Sequence, residues 1–460
     1  MTLHIEEIIN CLNAKCLNPD KIGNTLITQV NTDSRKQIEN SLFVPLKGEN
    51  FDGHQYIIDV FNKGAVATLT SNETIIDDRL ITIFVPDTNK ALLDLAKYYS
   101  STLERPIVAI TGSVGKTTTK ELVSVVLAQK FKVHKTQGNY NNEIGLPLTL
   151  FNATKEDEIS VVEMGMNHFG EIRNLTLTAT PDIAIITNIG TSHIENLGSR
   201  EGILKAKLEI LEGLKPDGLV IINGDEPLLT NAVDPKNRIT YGLDNSNMYY
   251  ATEITHHSTS VEAILHTPKQ TFTVNIPSPG EHMVRNTLVA VAVAEHFDMS
   301  IDAIIEGIQG YKSEKMRSQI DTYKNGITVI DDSYNASADS MIAGLNVLSN
   351  YQTLGRKIAV LGDMLELGEH SYVLHKQVGE EAGKLPIDII YTIGKQALAI
   401  GDGVKAHQTE VKTIHFETQA QFLEQLSTHI LPADVVLLKA SRGMQFEKIN
   451  EAIGRVSYDG

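Results

Sequence analysis

The sequence predicts an α/β protein of several domains with a parallel sheet at its centre. Three observations carry this. RPIVAITGSVGKTTTKELVSVVLAQKF, beginning at Arg105, reads as strand, glycine-rich turn and helix. From 105 to about 310, apolar runs alternate with helical stretches, as a mostly parallel sheet requires. Beyond about 311 the βα rhythm returns at 327–336, 357–365, 387–394 and 434–443, as in a Rossmann-like layer. No GxGxxG loop accompanies this last set, so a dinucleotide is not expected there.

The totals are compatible with such a chain. At 460 residues it exceeds what one core holds. With 42 % hydrophobic and 21 % charged residues it has ordinary globular composition. A formal net charge of -17 argues against nucleic acid as the main partner. No apolar run approaches the length of a membrane span, and MTLHIEEIIN lacks a basic, apolar leader, so a cytoplasmic location is expected. Cys11 and Cys16 make neither a disulfide framework nor a structural zinc set.

In chain order, residues 1–104 read as a small α/β domain. Its strand candidates are 22–28, 42–45, 65–69 and 80–84, and its helix candidates 5–12, 54–63 and 89–101. The clusters NTDSR and KGENFDGHQYI place Asp33, Ser34, Arg35, Lys47 and His54 where an anionic ligand could be received or where turns simply meet solvent.

The central segment, 105–311, opens on the turn Thr111, Gly112, Ser113, Val114, Gly115, Lys116, Thr117, Thr118. Glycines let backbone wrap phosphate oxygens, and a helix start presents N–H groups to them. Lys116 supplies charge to the phosphates, and Thr117 offers a hydroxyl to magnesium. Later strands end at Glu163, Asn188, His193 and Asp225, and ligands collect at such carboxyl ends. Glu163 follows a valine run and suits a magnesium ligand; Asp225 suits an ordinary turn equally well. Lys205 and Lys207 stand two apart, so at most one faces a site. A lysine there could clamp phosphate as a cation or, carbamylated, bridge to metal. Residues 249–278 read as an antiparallel patch, with helices following at 284–295 and 301–308. With no Ser-His-Asp or Cys-His order in view, the reaction class is phosphoryl transfer or an activation driven by it. The segment 312–460 favours an enzyme that closes over an activated intermediate.

TGSVGKTTT, GNYNNEIGLPLTL, VVEMGMNHFGEI, NIGTSHIENLGSREGILKAKLEI, NGDEP, MRSQ, IDDSYNASADSM, LGDMLELGE and KASRGM, in this order, resemble the Mur ligases, the ATP-dependent amide-forming enzymes of peptidoglycan synthesis. EMGMNHFGEI, DDSYNA and LGDMLELG resemble most the family's ligase that adds D-alanyl-D-alanine to UDP-N-acetylmuramoyl-tripeptide. The resemblance implies three domains, 1–104 for the UDP-sugar-peptide, 105–311 for ATP and 312–460 closing over both.

It also implies roles for residues. Lys116 would bind phosphate; Thr117, Glu163, His193 and a carbamylated Lys207 would hold two magnesium ions. Asn286, Tyr334 and Asn335 would meet adenine, and Arg317 and Asp332 the phosphates and ribose. Ser34 and Arg35 match the family's uridine nucleotide site, and Asp52, Gly53 and His54 its DGH stretch; with Lys47 they would be the first domain's substrate residues. Asn139, Asn141 and Asn142, with Lys439, Ser441 and Arg442, would line the substrate side. Val114 replaces the asparagine usual in the family's loop. Readings kept beside this one are a ligase adding the third amino acid, a folylpolyglutamate-synthetase-like enzyme and a nucleotide switch. A monomer is expected because no coiled coil is visible.

Overall fold

The structure, a computed structural model, describes residues 1–407 and 410–457. It resolves into two compact units: Met1–Thr111, Phe131–Ile185 and Leu208–Leu219 form one; Gly112–Lys130, Ile186–Lys207 and Val220 onward form the other.

The first unit opens with a five-stranded sheet ordered Lys15–Cys16, Ile81–Phe84, Ala65–Thr70, Ser41–Phe43, Gln29–Asn31. All pairs but the first are parallel. The strand expected over 22–28 is reduced to Leu26–Ile27, because Gly23 turns the chain at φ +49°. The helix expected over 54–63 is a 3₁₀ turn, Gly53–Tyr56, followed by Ile57–Phe61. Helix Thr88–Ser101 starts where Asp87 accepts from the N–H groups of Asn89 and Lys90, at 2.8 and 3.1 Å. Such a cap is worth about 1 kcal/mol. Its apolar face, Ala91, Leu92, Leu95, Ala96 and Tyr99, is buried at helical spacing.

Also in this unit, strands Val133–Lys135, Ile159–Glu163, Ile107–Thr111 and Ile183–Ile186 lie side by side in that order. Ile159–Glu163 runs parallel to both its neighbours and sets Glu163 opposite Ile110. Every residue of Ile107–Thr111 and Ile159–Glu163 is buried, which explains their apolar, β-branched character.

In the second unit, helix Lys116–Leu127 packs on Glu281–His296 and Ile301–Gln309. Strands Leu219–Asn223, Arg238–Gly242 and Tyr249–His256 are parallel, and Val261–His266 and Thr271–Ile276 follow antiparallel, the patch expected over 249–278. The unit's second sheet has six strands ordered Gln319–Thr322, Thr328–Asp331, Val435–Lys439, Lys357–Gly362, Ile389–Ile393, Lys412–Phe416. Only the first pair is antiparallel. The last strand was not expected: KTIHF exposes its edge position in alternation and carries no long apolar run. Ile358, Val360, Tyr391, Phe422, Val436, Leu438 and Phe446 fill the core beneath this sheet, each contributing roughly 1.5–3 kcal/mol by burial.

Candidate active site

The phosphate loop is built by its neighbours in the second unit. A Cβ at Gly112 (φ +153°) would stand 1.8 Å from Thr187 Oγ1, so only glycine fits. Gly115 enters the helix at φ +82°, a left-handed position that glycine takes at no steric cost. Asn188 Oδ1 accepts from the N–H groups of Ser113 (3.1 Å) and Val114 (3.0 Å), and Thr187 Oγ1 donates to the Val114 carbonyl (2.6 Å). Gly190 N–H donates to Ser113 Oγ at 2.9 Å. The N–H groups of Ser113 and Val114 therefore brace the loop on segment 187–190. Lys116 Nζ donates to the Gly112 carbonyl at 2.7 Å, curling over the loop it serves. The helix it begins has no side-chain N-cap, and helix starts of this kind receive anions.

Thr117 is buried in that first turn, and Thr118 half-buried beside it. Asn286 Oδ1 accepts from Thr119 Oγ1 at 3.2 Å and lies against Gly115. The structure thus sets Asn286 beside the loop.

Of the two lysines, Lys205 is exposed and Lys207 only 2 % exposed. Burial, with the positive charge of Lys116, pushes the Lys207 ammonium well below its ordinary pKa. A buried neutral amine is the form that takes up carbon dioxide. His193 begins a short helix in the left-handed region, φ +62°. Its Nδ1 lies 2.7 Å from Glu366 Oε2. Burial, then Lys116, lower its pKa, while Glu366 opposes them. Asp225, by contrast, caps a turn, accepting from Leu243 N–H at 2.7 Å, Asp244 N–H at 3.2 Å and Asn247 Nδ2 at 2.8 Å.

A second cluster in the same unit joins four expected nucleotide residues to an expected substrate residue. Arg317 stacks over the Tyr334 ring, 4.1 Å from its centroid. Ser318 N–H donates to Asp332 Oδ1 at 3.1 Å, and Tyr334 N–H to the Met316 carbonyl at 3.1 Å. Lys439, 2 % exposed, ion-pairs with Asp332 and donates to the Asn335 carbonyl at 3.2 Å. Met316 (φ +63°) and Ser318 (φ +51°) flank Arg317 in left-handed conformations. Arg442 reaches Glu447 at 3.0 Å and Met316 Sδ at 3.6 Å. Ser441 Oγ accepts from Leu365 N–H at 2.9 Å, joining the LGDMLELG loop to the strand end.

In the first unit, Glu163 is 2 % exposed, and Asn141 Nδ2 donates to its Oε1 at 2.7 Å. Thr111, at the end of the neighbouring strand, donates its hydroxyl to the Met164 carbonyl at 2.9 Å. Asn142 Oδ1 accepts from Ile144 and Gly145 N–H, at 3.2 and 2.8 Å, so it shapes the entry to helix Gly145–Asn152. Asn139 is exposed and its carbonyl accepts from Asn141 N–H at 2.7 Å.

In the N-terminal part of this unit, a cavity of about 420 Å³ is lined by Lys47, Asp52, His54, Ser71, Asn72, Glu73, Ile75 and Phe84. His54 is buried, with Nδ1 at 2.5 Å from Asp52 Oδ1 and Nε2 accepting from Ser71 N–H at 2.9 Å. Both ring nitrogens are thus engaged within the protein, and His54 holds Asp52 in place. Gly53 has no room for a Cβ, which would meet Leu46 N at 2.9 Å. Arg35 is gripped bidentately by Asp33, at 2.8 and 2.9 Å, and holds that carboxyl down to about 2. The Ser34 carbonyl accepts from Lys63 Nζ at 2.6 Å.

Among the described residues no group of three or more His, Cys, Asp or Glu forms a metal cage. Magnesium does not require one, since it usually keeps waters and takes one or two carboxylates with substrate phosphates. Each unit taken by itself holds a hard-oxygen donor of the kind magnesium takes: the buried Glu163 carboxylate in the first and the buried Thr117 hydroxyl in the second.

Models of the Mur ligase family, catalytic domain, of the Mur ligase middle domain and of the Mur ligase, glutamate ligase domain match residues 26–100, 110–294 and 316–442. The chain belongs to the Mur ligase family. Among relatives of this Mur ligase, the UDP-N-acetylmuramoyl-tripeptide–D-alanyl-D-alanine ligase of Bacillus subtilis is 39 % identical, covering 97 % of each chain. The ligase of that name from Escherichia coli is 34 % identical over 98 % of each. The crystal structure of MurF from Acinetobacter baumannii superposes with a TM-score of 0.91 at 32 % identity, covering 99 % of each chain. The MurF ligase of Thermotoga maritima, solved in complex with ADP, gives 0.83 at 30 % identity, covering 93 % of this chain and 97 % of that one. The Mur ligase architecture, built from mixed α/β sheets, is therefore the fold of this chain.

Two further carboxylates beside segment 190–193, Glu366 on His193 and Asp339 on Thr191 N–H, lie inside LGDMLELGE and IDDSYNASADSM, where nothing local distinguishes them from surface acids.

Proposed function

We infer that this Mur ligase joins D-alanyl-D-alanine to UDP-N-acetylmuramoyl-tripeptide with ATP, giving UDP-N-acetylmuramoyl-pentapeptide, ADP and phosphate. The observation that carries it is end-to-end identity with ligases of that name, 39 % over 97 % of each chain in the Bacillus subtilis relative. The braced phosphate loop supports ATP as the activating substrate. In the reaction, a carboxylate oxygen of the tripeptide attacks the γ-phosphorus and ADP leaves. The dipeptide's amine then attacks the acyl carbon of the acyl phosphate, losing a proton as the C–O bond breaks and phosphate departs.

Residues 1–104 are assigned to the UDP-sugar-peptide, 105–311 to ATP and 312–460 to closure over both. Lys116 neutralises the transferring phosphoryl group. Magnesium, taken as two ions, would supply charge neutralisation between phosphates, held by Thr117, Glu163, His193 and a carbamylated Lys207. Support for the carbamate is the burial and lowered pKa of Lys207. Asn286, Arg317, Asp332, Tyr334 and Asn335 are assigned to the nucleotide. Lys439 orients Asp332 from within the fold, and Ser441 and Arg442 carry its strand end towards the substrate side. The cavity around Lys47 and Asp52 supports a uridine-nucleotide site with His54 as its brace. No helix among the described residues is long and apolar enough to cross a membrane, and a cytoplasmic monomer is the working assignment.

The decisive assay follows phosphate release from MgATP, with UDP-N-acetylmuramoyl-tripeptide and D-alanyl-D-alanine added singly and together. Release that requires both, with pentapeptide found by mass, is the expected result. Release indifferent to either would leave a nucleotide switch and overturn the ligase assignment.

A further inference from the structure

The loop Gly190–His193 is held by two carboxylates from elsewhere in its own unit, and the hydrogen bonding decides how His193 is presented. Asp339 Oδ2 accepts from Thr191 N–H at 3.2 Å. The same oxygen would lie 2.3 Å from a Cβ at Gly190, so the approach exists only because position 190 has no side chain. Glu366 Oε2 sits 2.7 Å from His193 Nδ1. An ionised carboxylate can only accept, so Nδ1 carries the proton and donates. The Nε2 lone pair is then the one the imidazole can offer. His193 and Glu366 both adopt φ +62°, a left-handed conformation rarely taken by residues with side chains. Paired strain of this kind persists where surrounding contacts over-determine it.

We propose that Glu366 is a positioning residue for the metal site, fixing His193 as the Nδ1–H tautomer with Nε2 presented to magnesium, while Asp339 clamps the loop that carries it. The proposal rests on the metal role of His193 given above. It makes the imidazole's orientation depend on residues 339 and 366, which belong to the closing segment. The loop is thus set correctly only where that segment is seated on it. A carboxylate behind a metal-bound histidine raises ligand basicity and holds the ring, and its loss typically weakens metal binding 10- to 100-fold.

The test is Mn²⁺ binding, used as the probe ion in the presence of ADP and followed by electron paramagnetic resonance. The proteins are the wild type, Glu366→Ala, Glu366→Gln, His193→Ala and the double alanine variant. Glu366 is exposed, with 57 % of its side chain open to solvent, so its variants should fold. Glu366→Ala is expected to weaken Mn²⁺ by about 10-fold. Glu366→Gln should lose less, since its amide oxygen still accepts from Nδ1–H. In the His193→Ala background, Glu366→Ala should add nothing. In turnover, Glu366→Ala should raise the Mg²⁺ needed for half-maximal rate more than it lowers the rate at saturating Mg²⁺. If His193→Ala weakens Mn²⁺ and Glu366→Ala does not, the positioning role is overturned and the metal role of His193 survives. If neither variant weakens it, both are overturned.

Discussion

Lys205 and Lys207 stand two residues apart on one helix, and the fold separates them: one is exposed, the other enclosed. The enclosed amine is held below its ordinary pKa first by burial and then by Lys116. On the proposed carbamate, Lys207→Ala should abolish most turnover, and short-chain carboxylic acids added to the assay should restore part of it by standing in for the lost carboxylate. Absence of rescue would point to an unmodified lysine. The role proposed for Lys116 is more direct. Removing a charge aimed at a transferring phosphoryl group costs about 100- to 1,000-fold in kcat. A Lys116→Ala enzyme turning over at near-normal rate would remove the loop from the mechanism.

At the scale of elements, the phosphate loop is less a free ring of N–H groups than a strap fastened to 187–190. Asn188→Ala would release two loop N–H groups and loosen the strap. With each bond worth about 1 kcal/mol net, the loss of about 2 kcal/mol should lower the melting temperature by several degrees and raise KM for ATP by up to roughly 30-fold. Equal KM values would show that the brace is dispensable. His375 plays a comparable part in the LGDMLELG loop. Fully buried, it donates from Nδ1 to the Ser371 carbonyl at 2.7 Å and accepts from Met364 N–H at 2.9 Å on Nε2. His375→Ala leaves the buried Met364 N–H without its acceptor and a cavity beside it, a destabilisation of about 3 kcal/mol by denaturant unfolding.

Across the whole molecule, burial lowers the pKa of both His134 and His375 from the ordinary 6.5. The unfolded chain then binds protons at a higher pH than the folded one. Stability should thus be full above about pH 6.5 and fall as pH drops below it towards the lowered folded values. Melting temperature measured from pH 7.5 to 5 checks this, and the slope should lessen in a His375→Gln variant. A flat profile would mean that neither ring remains neutral in the folded state.

Much of this was legible from residue order. Gly112, Gly115 and Lys116 announce a phosphate loop because few sequences need φ > 0 twice around a cation between a buried strand and a helix. Val161 and Val162 announce the strand that ends at Glu163 because a strand buried on both faces is rich in β-branched apolar residues. Sequence order thus determined the α/β class, the strand ends where ligands collect and the family. It did not determine which polar groups face one another. Tertiary structure turned Asn142 into a cap, His54 into a brace with both nitrogens engaged, and Asn188 into the fastening of the loop. It also brought Glu366 to His193 across 173 positions of chain. The physical reason is that apolar periodicity is local and repeats along the chain, whereas a hydrogen bond needs two groups within about 3 Å, and only the packed fold sets that distance.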